Sequence, residues 1–142
     1  MNKIIIVDDS TTARMVVRRC LEIVGFGDAT FLEAANGKEA LTILKQESVD
    51  LVVTDLNMPV MDGETLLKWV KGGPKTHDIP VVMISSAGNV AKEKQVLDMG
   101  AHAVLGKPVS PEILRESIGD LMESTEQWAR VEPAEDEKEQ PE

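Results

Sequence analysis

The sequence predicts one α/β domain built on a mainly parallel sheet with helices on both faces. Three observations lead there. The runs Ile4-Ile5-Ile6-Val7, Leu51-Val52-Val53 and Val81-Val82-Met83-Ile84 are continuous rather than alternating, the pattern of strands covered on both sides. These and two further strand-like segments alternate with five helical stretches, which sets helices against a parallel sheet. At 142 residues the chain is long enough for one full core and too short for two ordinary domains.

The first strand runs from Ile4 to Val7 and ends in Asp8-Asp9-Ser10, two carboxylates leaving the sheet together. A helix from Thr11 to Val24 is read from Ala13, Val16, Val17, Cys20 and Val24, with Gly25 able to stop it. Its other face carries Arg14, Arg18 and Arg19, expected to meet solvent, with Arg18 able to pair with Glu22, or else to bind a partner. Ala29 to Ala34 mixes Thr30 and Glu33 with apolar residues, as suits an edge strand. Asn36-Gly37 reads as a turn, and Ala40, Leu41 and Leu44 mark a short helix ending near Gln46.

Asp50 to Asp55 follows as a buried strand that delivers Asp55 to its carboxyl end. Asp62, with Gly63 and Glu64 after it, is the expected cap of a third helix that runs to Lys71 and ends at Gly72-Gly73-Pro74. A polar loop with an exposed His77 leads to the fourth strand, which ends in Ser85-Ser86-Ala87-Gly88. The next helix spans Val90 to Met99 and closes at Gly100. Ala103 to Leu105 is a short strand ending in Gly106-Lys107-Pro108, with Lys107 biased toward extended backbone by the proline. Ser110 caps the last helix, Pro111 suits its first position, and Leu114, Ile118, Leu121 and Met122 mark its buried side, with Trp128 packing at its end. From Val131 the chain has too little apolar surface to offset the entropy of ordering, so an acidic, disordered tail is expected. The predicted division is a domain over residues 1–125, followed over 126–142 by the end of the last helix and the tail.

Composition excludes several classes. A net charge of -10 argues against general affinity for nucleic acid or anionic membrane. No apolar run approaches the ~20 residues that cross a bilayer, and the N-terminal run is too short for a secretion signal, so a cytoplasmic protein is expected. Cys20 is the sole cysteine and falls on an apolar helix face, which makes it a buried, inert thiol; no zinc pattern exists. His102 reads as structural.

Four strand ends present Asp8 and Asp9, Asp55, Ser85 and Lys107, all on one side if the strands are parallel. Ligands bind outside the carboxyl ends of such sheets. Asp at a strand-to-helix junction is often a helix cap, but Asp62 is better placed for that work. Three neighbouring carboxylates repel, so either one is protonated or a cation holds them ionised. Oxygen-only ligands point to Mg²⁺, and Lys107 adds positive charge for a phosphoryl group. In such a site Asp55 is the nucleophile of an aspartyl phosphate. Ser85 either donates a hydrogen bond to that group or merely begins the following loop.

Together these motifs resemble the receiver domain of bacterial two-component response regulators, in its freestanding CheY-like form, over residues 3 to about 125. The match rests on Asp8-Asp9, Asp55 with Met58-Pro59 and Asp62-Gly63 beyond it, Ser85, and Lys107-Pro108. The resemblance implies a flavodoxin-like, doubly wound sheet in the order 2-1-3-4-5 with five helices. It implies Mg²⁺ held by Asp9, Asp55 and the main-chain carbonyl of Asn57 with Asp8 assisting, and phosphorylation of Asp55 by a histidine kinase or histidine phosphotransfer protein. Ser85 and Lys107 are implied to contact the phosphoryl group. A target protein is then expected on the surface of the fourth helix, fifth strand and fifth helix.

The chain departs from the family where an aromatic residue is common: Val104 stands there, Val109 replaces a frequent Phe, and Tyr is absent. An aromatic rotamer switch is therefore excluded, and coupling to the partner surface is expected either to be weaker or to run through Ser86-Ala87-Gly88-Asn89 instead. With no output domain after the last helix, the chain is expected to act through another protein, as a chemotaxis-type regulator that is not itself an enzyme or as a phosphoryl-relay or phosphate-sink receiver. A small Mg²⁺-dependent phosphatase with an aspartyl nucleophile is the alternative of another class. Its haloacid dehalogenase-like pattern separates nucleophile and acid by two positions, whereas Asp8 and Asp9 are adjacent. An interaction module that has lost phosphorylation is the third reading.

Overall fold

The computed structural model describes residues 2–86 and 88–123. Trp128 and the expected tail lie outside them. Strands β1 (Lys3–Val7), β2 (Thr30–Ala34), β3 (Leu51–Asp55), β4 (Val81–Ser85) and β5 (Ala103–Gly106) form one parallel sheet in the order β2-β1-β3-β4-β5. Helices α1 (Thr11–Leu21), α2 (Gly37–Gln46), α3 (Gly63–Gly72), α4 (Val90–Asp98) and α5 (Pro111–Glu123) connect and cover it. The doubly wound architecture read from the sequence is the one observed.

The continuous apolar runs are explained by two cores, since successive strand residues point to opposite faces. Ile4, Ile6, Leu51, Val53, Val82 and Ile84 pack against Val17, Cys20 and Leu21 of α1 and Leu114 and Ile118 of α5. On the other face, Ile5, Val7, Val52, Val81 and Met83 meet Ala40 and Leu44 of α2, Leu66, Leu67 and Val70 of α3, and Val96 of α4. Each fully buried aliphatic side chain contributes roughly 1.5–3 kcal/mol, so this double core is the main source of stability.

Side-chain caps begin four helices. Ser10, Asn36, Asp62 and Ser110 accept the amides of Ala13, Glu39, Thr65 and Ile113 respectively. Such a cap is worth about 1 kcal/mol and fixes where the chain leaves the sheet edge. Asn36-Gly37 is therefore the start of α2 and not a free turn. Its Gly37 lies so close to Met61 that a Cβ would stand 2.8 Å from the Met61 side chain.

Two further expectations are corrected. The first helix stops at Leu21 and passes into a π-type turn over Glu22–Phe26, because Gly25 adopts φ 133° and swings Phe26 back into the core. Val16 is 47% exposed, since the buried stripe of α1 runs through Val17, Cys20 and Leu21. Among the described residues no helix is long and apolar enough to cross a membrane.

Candidate functional site

Among the described residues the buried polar side chains are Asp8, Thr54, Asp55 and Ser85. All four stand at the carboxyl ends of β1, β3 and β4. Parallel register puts them in one row: Val7 lies beside Thr54, Asp55 beside Ile84, and Ser85 beside Gly106. Burying polar and charged groups is costly even where each finds a partner, so a row of them at one sheet edge marks a candidate site.

The carboxylates converge. Asp8, Asp9 and Asp55 each offer an oxygen, and these oxygens lie within 4.8 Å of one another. The Lys107 ammonium stands 3.4 Å from both oxygens of Asp55. Burial pushes the Asp8 carboxyl above its ordinary range, and the charge of Asp55 and a side-chain hydrogen bond with Asp9 add to the rise, while the Ser10 amide at 2.9 Å and the charge of Lys107 oppose it. One lysine cannot balance three acids. A hard, oxygen-preferring divalent cation fits this donor set, and Mg²⁺ takes one or two carboxylates with its waters.

The loop after β3 folds tightly over Asp55. Gly63 donates its amide to the Leu56 carbonyl at 2.9 Å, and a Cβ on Gly63 would stand 2.5 Å from the Asp55 carbonyl oxygen, so only glycine lets the loop close there. Met61 donates to the Pro59 carbonyl at 2.7 Å, with Val60 between them at φ 70°. That is a γ-turn of the rare, strained hand, centred on a β-branched residue. Asn57 lies exposed in this loop, two residues past Asp55.

Ser85 has no exposed surface, and its hydroxyl donates to the Ser86 carbonyl at 3.1 Å and not to Asp55. Lys107 is positioned by its amide, which donates to the Ser85 carbonyl at 3.0 Å, and the Lys107–Pro108 peptide bond is cis. Beside Asp8 and Lys107 opens a cavity of about 390 Å³ walled by Ala13, Val16, Pro108 and Val109.

Two contributors escape the sequence. Thr54 anchors the strand end by donating its hydroxyl to the Asp55 carbonyl at 2.9 Å. Arg14, expected on the solvent face of α1, is turned inward with its side chain only 15% exposed. It bonds the Asp8 carbonyl, Thr11 and Glu33. Arg18 and Arg19 do remain exposed, with Arg18 paired to Glu22 and lying over the Phe31 ring.

A family model described as the response regulator receiver domain matches residues 4–119. A "Chemotaxis protein CheY homolog" of Campylobacter jejuni is 36% identical over 121 residues, spanning 84% of this chain and 92% of its own. "Chemotaxis protein CheY1" of Helicobacter pylori is 34% identical over 117 residues, 82% of this chain and 93% of its own. The solved structure of the chemotaxis response regulator CheY4 of Vibrio cholerae superposes with a TM-score of 0.74 at 30% identity, covering 85% of this chain and 98% of that one.

Proposed function

This chain belongs to the response regulator receiver domain family, the signalling component of two-component systems, and on that premise we propose that Asp55 is its phosphoacceptor. The observation that carries the reading is the meeting of Asp8, Asp9 and Asp55 within 4.8 Å under the ammonium of Lys107. One Asp55 oxygen attacks the phosphorus of a donor; the bond from phosphorus to the donor's leaving group breaks, and an acyl phosphate remains on Asp55. Lys107 then exchanges its contact with the carboxylate for one with the phosphoryl oxygens, where charge accumulates. The Ser85 hydroxyl leaves the Ser86 carbonyl and donates to the phosphoryl group.

Asp8, Asp9, Asp55 and the Asn57 carbonyl are the proposed ligands of Mg²⁺, which when bound neutralises the charge of the incoming phosphoryl oxygens. The chain's own part is to hold these oxygens together despite their repulsion.

The donor is a sensor histidine kinase or histidine phosphotransfer protein. The target docks on the face of α4, β5 and α5, where Val90 is 75% and Leu97 46% exposed on α4. Chemotaxis is the favoured pathway, because relatives named for it are matched over more than nine-tenths of their own length.

Incubation with Mg²⁺ and acetyl phosphate, followed by intact-mass measurement, tests the reading. One phosphoryl group on the native protein and none on Asp55→Asn is expected. Uptake by the variant equal to that of the native protein would overturn the assignment.

A further inference from the structure

We infer that Arg14 is a positioning residue for the cation site, holding the Asp8–Asp9 turn in its ligating shape while Glu33 holds Arg14; the inference rests on the reading of that site given above. The guanidinium makes a three-way tie. Nη1 donates to the Asp8 carbonyl at 2.5 Å, Nε to a Glu33 carboxylate oxygen at 2.7 Å, and Nη2 to the Thr11 hydroxyl at 3.2 Å. It thereby connects the end of β1, the first turn of α1 and the edge strand β2.

The Asp8 carbonyl belongs to the peptide that joins Asp8 to Asp9. Its plane sets ψ of Asp8 and φ of Asp9, and so the direction in which the exposed Asp9 carboxylate leaves the backbone. The other groups of the turn are already fixed: the Asp8 amide donates to the Ala34 carbonyl at 3.0 Å, and Asp8 Oδ1 accepts the Ser10 amide at 2.9 Å. Without Arg14, that carbonyl keeps no side-chain partner among the hydrogen bonds described, and the Asp9 side chain loses its fixed origin. A planar guanidinium suits this work, because its donors are arranged in a fixed fork that an ammonium lacks.

Glu33 has a second effect. A cation close to a cation site weakens it, and the carboxylate paired to Arg14 cancels that charge locally. Removing Arg14 therefore moves Mg²⁺ affinity in opposite directions under two explanations. If Arg14 acts only through its charge, the loss strengthens binding. If it positions the turn, the loss weakens binding, and supports around metal ligands are typically worth about 10–100-fold in affinity.

The experiment is titration of the native full chain, Arg14→Met and Arg14→Lys with Mg²⁺, read by calorimetry, with thermal unfolding recorded on each. Arg14→Met is expected to bind Mg²⁺ about tenfold more weakly, and Arg14→Lys to recover part of the loss. Equal or tighter binding by a folded Arg14→Met would overturn the inference. Should Arg14→Met fail to fold, Glu33→Ala and Glu33→Gln decide. The amide of Glu33→Gln keeps an acceptor for Nε, so Glu33→Ala is expected to bind severalfold more weakly than Glu33→Gln; equal affinities would reduce Glu33 to a charge and refute the tie. A native protein with no Mg²⁺ affinity would fail the site itself, a result distinct from all of these.

Discussion

At the amino edge of the sheet, Asp50 accepts the amides of Asn2 and Lys3 at 2.7 and 3.0 Å, and its own amide donates to the Lys3 carbonyl at 2.8 Å. Lys3 pairs with Glu47, and Lys71 donates to the carbonyls of His77 and Ile79. At the carboxyl edge, Asp8 and Asp55 are buried beside Asp9 with a single lysine among them. The strands are the same, yet one edge matches charge to hydrogen-bond partners and the other gathers charge of one sign. The amino edge contributes stability. The carboxyl edge gives some up, and keeps a site ready for ligands that bring positive charge.

Substitution can break that division of labour. The largest effect is expected from Lys107→Met, which should slow phosphoryl uptake from acetyl phosphate about a hundredfold, the usual loss when one stabilising group is removed from a developing charge. Unfolding temperature should move little, because a lysine 3.4 Å from its partner and 40% exposed contributes little to the fold. The amino edge should behave in reverse. Asp50→Ala removes a charged acceptor from two amides and is expected to cost about 2 kcal/mol, seen as a lower denaturant midpoint, with uptake rate unchanged. Slowed uptake in a folded Asp50→Ala would erase the distinction between the edges.

Val60 sharpens the comparison on a smaller scale. Its positive φ stores strain in the loop over Asp55, at a position 77% exposed where the side chain stabilises little. Val60→Gly should raise stability by about 1 kcal/mol, read from denaturant unfolding, if the strain belongs to the site and not to the fold. A stability lowered by about 1 kcal/mol, the entropic cost of the glycine itself, would show that the turn is relaxed.

Much of this was legible in the residues. The three central strands, β1, β3 and β4, are found to within a residue because apolar runs buried on both faces leave no alternating pattern to confuse. The acids were legible because they follow such runs, and Lys107 because it stands between a short apolar strand and a proline. Arg14 was not, since helical periodicity assigns it to the polar face and its partner Glu33 lies on β2, nineteen positions away. Val16 differs for a related reason: spacing puts both adjacent valines on the apolar face, whereas packing against the sheet takes only Val17 inward. The direction of the Ser85 hydroxyl was hidden too, because it depends on a rotamer that residue order does not encode.

The most direct test is thermal unfolding of the native protein and Asp8→Asn across pH, with and without Mg²⁺. Burial holds the Asp8 carboxyl above its ordinary range, so the folded state binds that proton more tightly than the unfolded chain, and metal-free stability falls as pH rises through that range. Without Mg²⁺ at neutral pH, Asp8→Asn should therefore unfold roughly 4 °C higher, for about 1 kcal/mol, with the gap closing in acid. Saturating Mg²⁺ should reverse the order by stabilising the native protein more. A metal-free native protein at least as stable as the variant, and unmoved by Mg²⁺, would contradict the claim that this edge gives up stability for a cation and a phosphoryl group.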